Sequence, residues 1–365
     1  MKAERFDPGT DSNAVRACHE IYLSGLPVDD PLGPPMSPRA FAGWLTLGWT
    51  EDPQEAWLAR DDSGRPCGWY ALSLPQRENR QLAPLSLVVH IAGRRAGRGS
   101  ALLRHAAGRA RQAGRTLLEI GALEGSPGAA FAGALTTRPS IPAVRRVLAL
   151  DGVSGEQRAA LRAEAGPASG GYALDSWSGP APEDEVAGVA TLNAAMADAP
   201  REAGQEARSW DVERVRLDER RIAAMGLRVH VIAARTLDTG ELAGLTQLAV
   251  DAAMPEWGFQ ELTAVARPHR GHRLGLRLKL AMLDRLAVGE PQVTRIMTGN
   301  AAGNHHMIAI NEQLGFRVLD RWPCWELGVA DVLAGRQRAA GWPAACRRDG
   351  DPPKFCQRPD LPAAG

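Results

Sequence analysis

The sequence predicts a mixed α/β protein built from two tandem copies of one domain. Three observations carry this reading. The chain has 365 residues, nearer to two domains than to one. The same order of helical and strand-like runs occurs twice. An Arg/Gly-rich turn joins a strand pattern to a helix pattern in each half, beginning at Arg94 and again at Arg270, 176 residues later. That period is too long for a solenoid repeat and suits two whole domains.

Each half opens with a short strand-like piece, residues 2–6 and 171–177. Helical patterns follow over 11–26 and 38–48, then over 183–197 and 211–225. Two β-rich runs come next in each half, 55–60 with 67–74 and 228–235 with 241–250. Asp61-Asp62-Ser63-Gly64 and Asp238-Thr239-Gly240 stand between the runs, which is turn chemistry and predicts hairpins. A longer strand, 82–91 or 259–265, leads into the Arg/Gly turn and then a helix, 100–113 or 276–286. In the second of these helices Leu276, Leu280 and Leu283 recur at helical spacing. A further strand is expected over 116–121 and 293–298. The flexible run Gly166-Pro167-Ala168-Ser169-Gly170-Gly171 marks a boundary, giving domains 1–168 and 169–333. Residues 334–365, rich in Pro, Arg and Asp, read as an irregular extension.

Composition narrows the function classes. Lys+Arg 43 against Asp+Glu 42 leaves a net charge of +1, so no overall field steers the chain to nucleic acid or to an anionic membrane. Only Lys2, Lys279 and Lys354 are lysines, so arginine is the default cation and a lone Arg says little about phosphate. Residues 1–15 show no secretory pattern, and no apolar run approaches the roughly 20 residues of a membrane span. The five cysteines are scattered, without Cys-x-x-Cys or zinc spacing, so reduced thiols in a cytoplasmic protein and no metal are expected.

The turns carry the chemistry. They read Arg94-Arg95-Ala96-Gly97-Arg98-Gly99 and Arg270-Gly271-His272-Arg273-Leu274-Gly275. A turn from a strand into a helix N-terminus presents unpaired N–H groups on the positive end of the helix dipole, a ready site for phosphate or pyrophosphate. Glycines allow close approach and positive φ, and flanking arginines add charge-assisted bonds. Neither turn is followed by Gly-Lys-Ser/Thr, and neither has dinucleotide-fingerprint spacing.

These residues resemble the GCN5-related N-acetyltransferase (GNAT) family, in its tandem form. The family's acyl-CoA loop reads Arg/Gln-x-x-Gly-x-Gly/Ala. Residues 94–99 fit every defined position, whereas Arg273 replaces the middle glycine of 270–275. The second half adds Asn304, a helix pattern, and Leu314-Gly315-Phe316, matching the family's later Asn and closing Gly-Phe. The resemblance implies, in each half, a mostly antiparallel sheet splayed between its fourth and fifth strands, with flanking helices and the acyl-pantetheine arm in the gap. It implies acetyl-CoA as cosubstrate and an amine acceptor. Val89 and Val265 on the strand edges would bond the pantetheine arm, and the amides of 95–100 and 270–275 would hold the pyrophosphate.

The family's frequent general acid, a Tyr seven residues after the Asn, is replaced by Asn311. The first half lacks both the Asn and the Gly-Phe closure. The second half is therefore weighted as catalytic. Acetyl transfer needs a base for the amine proton and donors for the oxyanion. Candidate bases are Glu261, His305 and His306, with Glu119 as the counterpart in the first half. Lys279 could reach a CoA phosphate, and Asp29, Asp30 and Asp198 could attract a cationic amine. The alternatives are a non-catalytic acyl-CoA-binding protein on the same fold and a binder of some other phosphate ligand. The acceptor and the oligomeric state are not read from the sequence.

Overall fold

The structure is a computed structural model. It describes residues 1–50, 52–136, 142–195 and 205–335. The second-half loop with Asp198, and nearly all of the expected extension, lie outside the described residues. In the first half come β1 (Lys2–Phe6), α1 (Ser12–Asp29), α2 (Pro38–Leu47), β2 (Gln54–Arg60), β3 (Pro66–Ser73), β4 (Leu82–Val89), α3 (Arg98–Gln112) and β5 (Leu117–Gly121). α4 (Pro127–Gly133), β6 (Ala143–Ala149) and α5 (Gly155–Ala165) then lead to the second copy. That copy runs β7 (Tyr172–Ser178), α6 (Val186–Ala194), α7 (Val212–Ala224), β8 (Leu227–Thr236), β9 (Leu242–Asp251), β10 (Trp257–Val265), α8 (Leu274–Gly289), β11 (Arg295–Ala301) and α9 (His305–Gln313). β12 (Arg317–Trp322), β13 (Cys324–Gly328) and α10 (Val329–Leu333) close the described chain.

Both expected hairpins form, β2–β3 and β8–β9. Side-chain caps set several helix starts: Asp11, Ser37 and Asp211 each accept from the amide three residues on. The strands make two mostly antiparallel sheets, one in the order β1-β2-β3-β4-β5-β13 and the other β12-β6-β11-β10-β9-β8-β7. Among the described residues only β4–β5 and β10–β11 pair in parallel. The sheets do not follow the halves of the sequence. β6, from before the linker, sits between β11 and β12, pairing over seven residues with β11. β13, from the end of the second half, returns to pair with β5. The halves thus exchange a strand, and each sheet is finished by the other half.

Each sheet is covered on both faces. α3 packs on one face of the first sheet with Leu102, Leu103, Ala106 and Ala110 buried, while α1 and α2 cover the other with Cys18, Ile21, Phe41 and Leu45. The second sheet is covered likewise by α8 on one face and by α6 and α7 on the other. Met225, at the end of α7, joins the core under α1 and α2. Gly43 lets α2 cross α7 closely, since a Cβ there would stand 2.6 Å from the Ala224 backbone. Ion pairs also tie the halves: Arg145 on β6 holds Asp30 at 2.8 Å and Asp320 at 2.7 Å, and the fully buried Arg214 holds Glu78 at 3.0 Å. No described helix is long and apolar enough to cross a membrane.

The exchange predicts that neither half is soluble alone. Residues 1–168 expressed apart would leave β5 with an open edge and β6 without a sheet. Co-expression with residues 169–335 should restore a soluble complex, read by size-exclusion chromatography. Two monodisperse, independently folded fragments would contradict it.

Candidate acyl-CoA site

In each half a parallel strand pair opens into a gap. β4 and β5 pair only over Leu82–Pro84, and β10 and β11 only over Trp257–Gln260. Pro84 has no N–H to donate, so the first ladder has a weak point where it ends. In the second half β10 carries a bulge: Gln260 faces Leu248 and Leu262 faces Gln247, so Glu261 is an extra residue. The Leu262 carbonyl at this parting accepts from the Thr246 hydroxyl at 3.1 Å and the Gln260 amide at 2.9 Å. These side chains satisfy a backbone group at the place where the strands diverge.

The two Arg/Gly loops have the same backbone. Arg95 and Gly97 have φ of 65° and 75°, and their counterparts Gly271 and Arg273 have 85° and 57°. Each loop therefore contains one glycine and one arginine in the left-handed region, with the glycine at opposite positions. Arg273, the departure from the family pattern, takes the conformation that the missing glycine would take. No side chain caps α3 or α8, and their first intrahelical bonds are Ala101 N–H to Gly97 and Arg277 N–H to Arg273. The preceding helix amides, including those of Arg98, Gly99, Leu274 and Gly275, point out of the helix end where an anion is favoured. Gly275 has a packing reason as well, because a Cβ there would meet the Ile310 side chain of α9 at 3.0 Å. Leu274 is buried and anchors the loop in the core.

The leading arginines do something other than expected. Arg94 Nε donates to the Val89 carbonyl at 3.1 Å, and its terminal nitrogens form an ion pair with Asp29. Arg270 Nε donates to the Val265 carbonyl at 3.2 Å and its Nη2 to Ala195 at 3.2 Å. Both tie the strand end to the first helix of their half. The carbonyls of Val89 and Val265 are thus already bonded, leaving the neighbouring edge amides and carbonyls for a pantetheine arm. Asp29 is held by Arg94 and Asp30 by Arg145, so neither is a spare charge for a cationic amine. His272 Nδ1 lies 3.2 Å from the Ala168 carbonyl and is turned toward the linker.

Glu261 stands at the bulge, on the face covered by α6 and α7. Solvent reaches its carboxylate, yet protein surrounds it, and this desolvation raises its pKa. Arg221 opposes the shift and Asp218 adds to it. Those two residues of α7 form their own pair, at 2.9 Å, beside Glu261. The sequence reading missed this pair. The acid at i and arginine at i+3 on a helix pattern were its only signal.

The other candidates are placed elsewhere. His305 and His306 are exposed on the first turn of α9, and Asn304 is that helix's N-cap, its Oδ1 accepting from Met307 at 3.3 Å. Asn311 is fully buried and donates to Asn300 at 2.9 Å. It is an amide in the place of an acid and has no proton to give a departing thiolate. Glu119 on β5 is half-buried and faces Glu326 across the ladder with β13. Lys279 does not reach outward: it is buried, with Nζ 5.5 Å from the Phe316 ring centre. Desolvation pulls its pKa down to about 7. Among the described residues no group of three His, Cys, Asp or Glu side chains could hold a metal ion.

Two predictions follow from these placements. Arg273→Gly should leave thermal stability within about 1 kcal/mol, while the β-branched Arg273→Val, poorly suited to positive φ, should lose at least roughly 1–2 kcal/mol. Equal unfolding midpoints for the two variants would refute the conformational role. The second concerns Lys279. Between pH 7 and the ordinary lysine value the unfolded chain binds more protons than the folded one, so stability should rise with pH over that window. Below pH 7 both states are protonated and the penalty is constant. Lys279→Met should flatten this rise and increase the midpoint at pH 7, as measured by thermal melts across pH.

Comparison with known proteins agrees with this geometry. A family model described as the acetyltransferase (GNAT) family matches residues 16–129. A tandem GNAT protein from the clavulanic acid biosynthesis pathway superposes with a TM-score of 0.73 at 29% identity, covering 90% of this chain and 98% of that one. A GCN5-related N-acetyltransferase from Sphaerobacter thermophilus shares the fold with a TM-score of 0.57 at 17% identity, covering 90% of this chain and 95% of that one. No curated protein sequence matches the chain significantly. The family model thus marks residues 16–129 as a GNAT-family acetyltransferase domain, and over nine-tenths of its length the chain has the fold of a tandem GNAT protein, with two splayed sheets.

Proposed function

We propose that this chain transfers an acetyl group from acetyl-CoA to a primary amine, with the second half as the catalytic one. The observation that carries the proposal is Glu261: a carboxylate with a raised pKa, on the extra residue where β10 parts from β11. The loop 270–275 fits the pyrophosphate, and the opened edge of β10 fits the pantetheine arm. A thioester carbonyl in the gap would meet backbone N–H groups suited to a tetrahedral oxyanion.

The amine must lose a proton to attack, and Glu261 is the base that takes it. Its raised pKa brings it nearer the working pH and makes it a stronger base than an exposed carboxylate. With an amide at Asn311, the departing thiolate takes its proton from water. The first-half loop has the same left-handed positions as the second, which supports a second acyl-CoA site there, with Glu119 on β5 as its candidate base. The free, buried thiols of Cys18 and Cys67 fit a cytoplasmic setting.

Calorimetric titration of the full chain with acetyl-CoA, using CoA and ADP as controls, tests the binding. Two sites of unequal affinity and a preference over ADP are expected; no binding would overturn the reading. Release of CoA with primary amines tests the chemistry. Glu261→Gln should lower kcat by about 10²–10⁴-fold with acetyl-CoA affinity unchanged. In the wild type, kcat/KM should rise with pH along an acid limb above the ordinary carboxylate range, and that limb should vanish in the variant. Turnover indifferent to Glu261→Gln would favour a protein that binds acyl-CoA by this fold without using this base.

A further inference from the structure

We infer that Ser178, His230 and Glu290 form a hydrolytic site for small carboxylic esters, as nucleophile, base and orienting acid. The inference does not rest on the acetyl-transfer reading. The three residues meet at the end of α8 away from the loop 270–275. Ser178 closes β7, an edge strand, and pairs directly with His230 on β8. Glu290 follows the last turn of α8, and Arg285 reaches down from that helix to the other two.

Hydrogen bonds fix the role of each group. Glu290 Oε1 lies 3.0 Å from His230 Nε2, and Ser178 Oγ lies 3.2 Å from Nδ1. Arg285 assigns the protons, because a guanidinium only donates. Its Nε donates to Nδ1 at 3.4 Å, so Nδ1 is the bare nitrogen and Nε2 carries the hydrogen given to Glu290. Its Nη2 donates to Ser178 Oγ at 2.7 Å, which leaves the hydroxyl proton for Nδ1. The same cation favours negative charge on Oγ. Arg228 donates to Glu290 at 2.8 and 2.6 Å and holds its carboxyl below the ordinary range, so the acid is ionised. His230 and Glu290 are buried, whereas Ser178 is exposed. A shielded relay thus ends on a nucleophile that a substrate can reach.

The edge strand supplies an oxyanion donor. Gly179 N–H donates to the Val229 carbonyl at 2.9 Å, so the adjoining pair Ser178–His230 is of the non-hydrogen-bonded kind. The Ser178 N–H therefore points away from β8, on the open side of the sheet, beside its own Oγ. A Cβ at Gly179 would meet nothing within 4 Å beyond its chain neighbours, so the approach is open. In the reaction Oγ attacks the ester carbonyl while Nδ1 takes the hydroxyl proton. The Oγ–C bond forms, the bond to the alcohol oxygen breaks, and Nδ1 passes its proton to the departing alcohol. Water then attacks the acyl-serine, its proton returns through Nδ1 to Oγ, and the carboxylic acid leaves. Ester and water become acid and alcohol.

The test treats the full chain with a biotinylated ethyl fluorophosphonate, which forms an Oγ–P bond and loses fluoride at an activated serine, and separately with p-nitrophenyl acetate. One label per chain is expected, mapped to Ser178 by peptide mass, together with release of p-nitrophenol. Ser178→Ala, a change at an exposed position, should remove the label and slow ester hydrolysis about tenfold or more. His230→Gln and Glu290→Gln should each lower the maximal labelling rate by about 10²-fold or more, with the half-saturating probe concentration unchanged. Glu290 is a positioning residue here, and that split separates lost orientation from lost structure. No label, a label on another residue, or hydrolysis indifferent to Ser178→Ala would overturn the inference. Failure of the acetyl-transfer reading is separate, since it would show as absent acetyl-CoA binding whatever Ser178 does.

Discussion

The candidate site of the second half depends on one extra residue in a ladder. At Glu261, β10 holds two residues where β9 holds one, and the parallel pairing with β11 ends at that point. A bulge bends a strand and increases its local twist, so β10 turns away and a gap opens in a continuous sheet. The same step brings Glu261 near Asp218 and Arg221 of α7; solvent still reaches the residue, and the protein around it raises its pKa. The opening would be costly if it left buried carbonyls bare, and Thr246 and Gln260 prevent that at Leu262. The first half reaches the same opening by another route, with a proline as the last paired residue of β4.

The loops show how a conformation can outlast its usual residue. Both trace the same path through two left-handed positions, and in each half one of those positions is an arginine. The path is imposed from both sides. Upstream, the leading arginine ties the strand end to the first helix; downstream, the helix is anchored in the core, through Leu274 in the second half. The glycine pattern of the family is thus one way of meeting a demand that surrounding packing enforces on its own. The exchange of β6 and β13 extends this interdependence to the whole molecule. Arg145, carried on the exchanged β6, joins α1 of the first half to β12 of the second through Asp30 and Asp320.

Much of this was legible in the chain. Hydrophobic periodicity and the Asp/Gly turns placed both hairpins, and the Arg/Gly turns fell where the two loops are. The strands β6, β12 and β13 were not read, because they are short, their charged residues dilute the alternation, and their partners are remote in sequence. The candidate site divided in a similar way. Glu261 was nominated from its place near a strand start, but nothing local announced the bulge or the Arg221–Asp218 pair beside it. Asp29, Asp30 and Lys279 carried charge in suggestive places, and the folded chain engaged the first two in ion pairs and buried the third.

The sequence by itself determined the repeat, the element types around each loop and the chemistry of the loops, because these follow from periodicity and from residues that act on their immediate neighbours. Tertiary structure alone decided which strand completes which sheet, which arginines brace and which amides remain open, and which carboxylate is desolvated. Those outcomes depend on groups brought together from distant parts of the chain. Burial, pairing and pKa belong to such assembled surroundings and not to any residue taken singly.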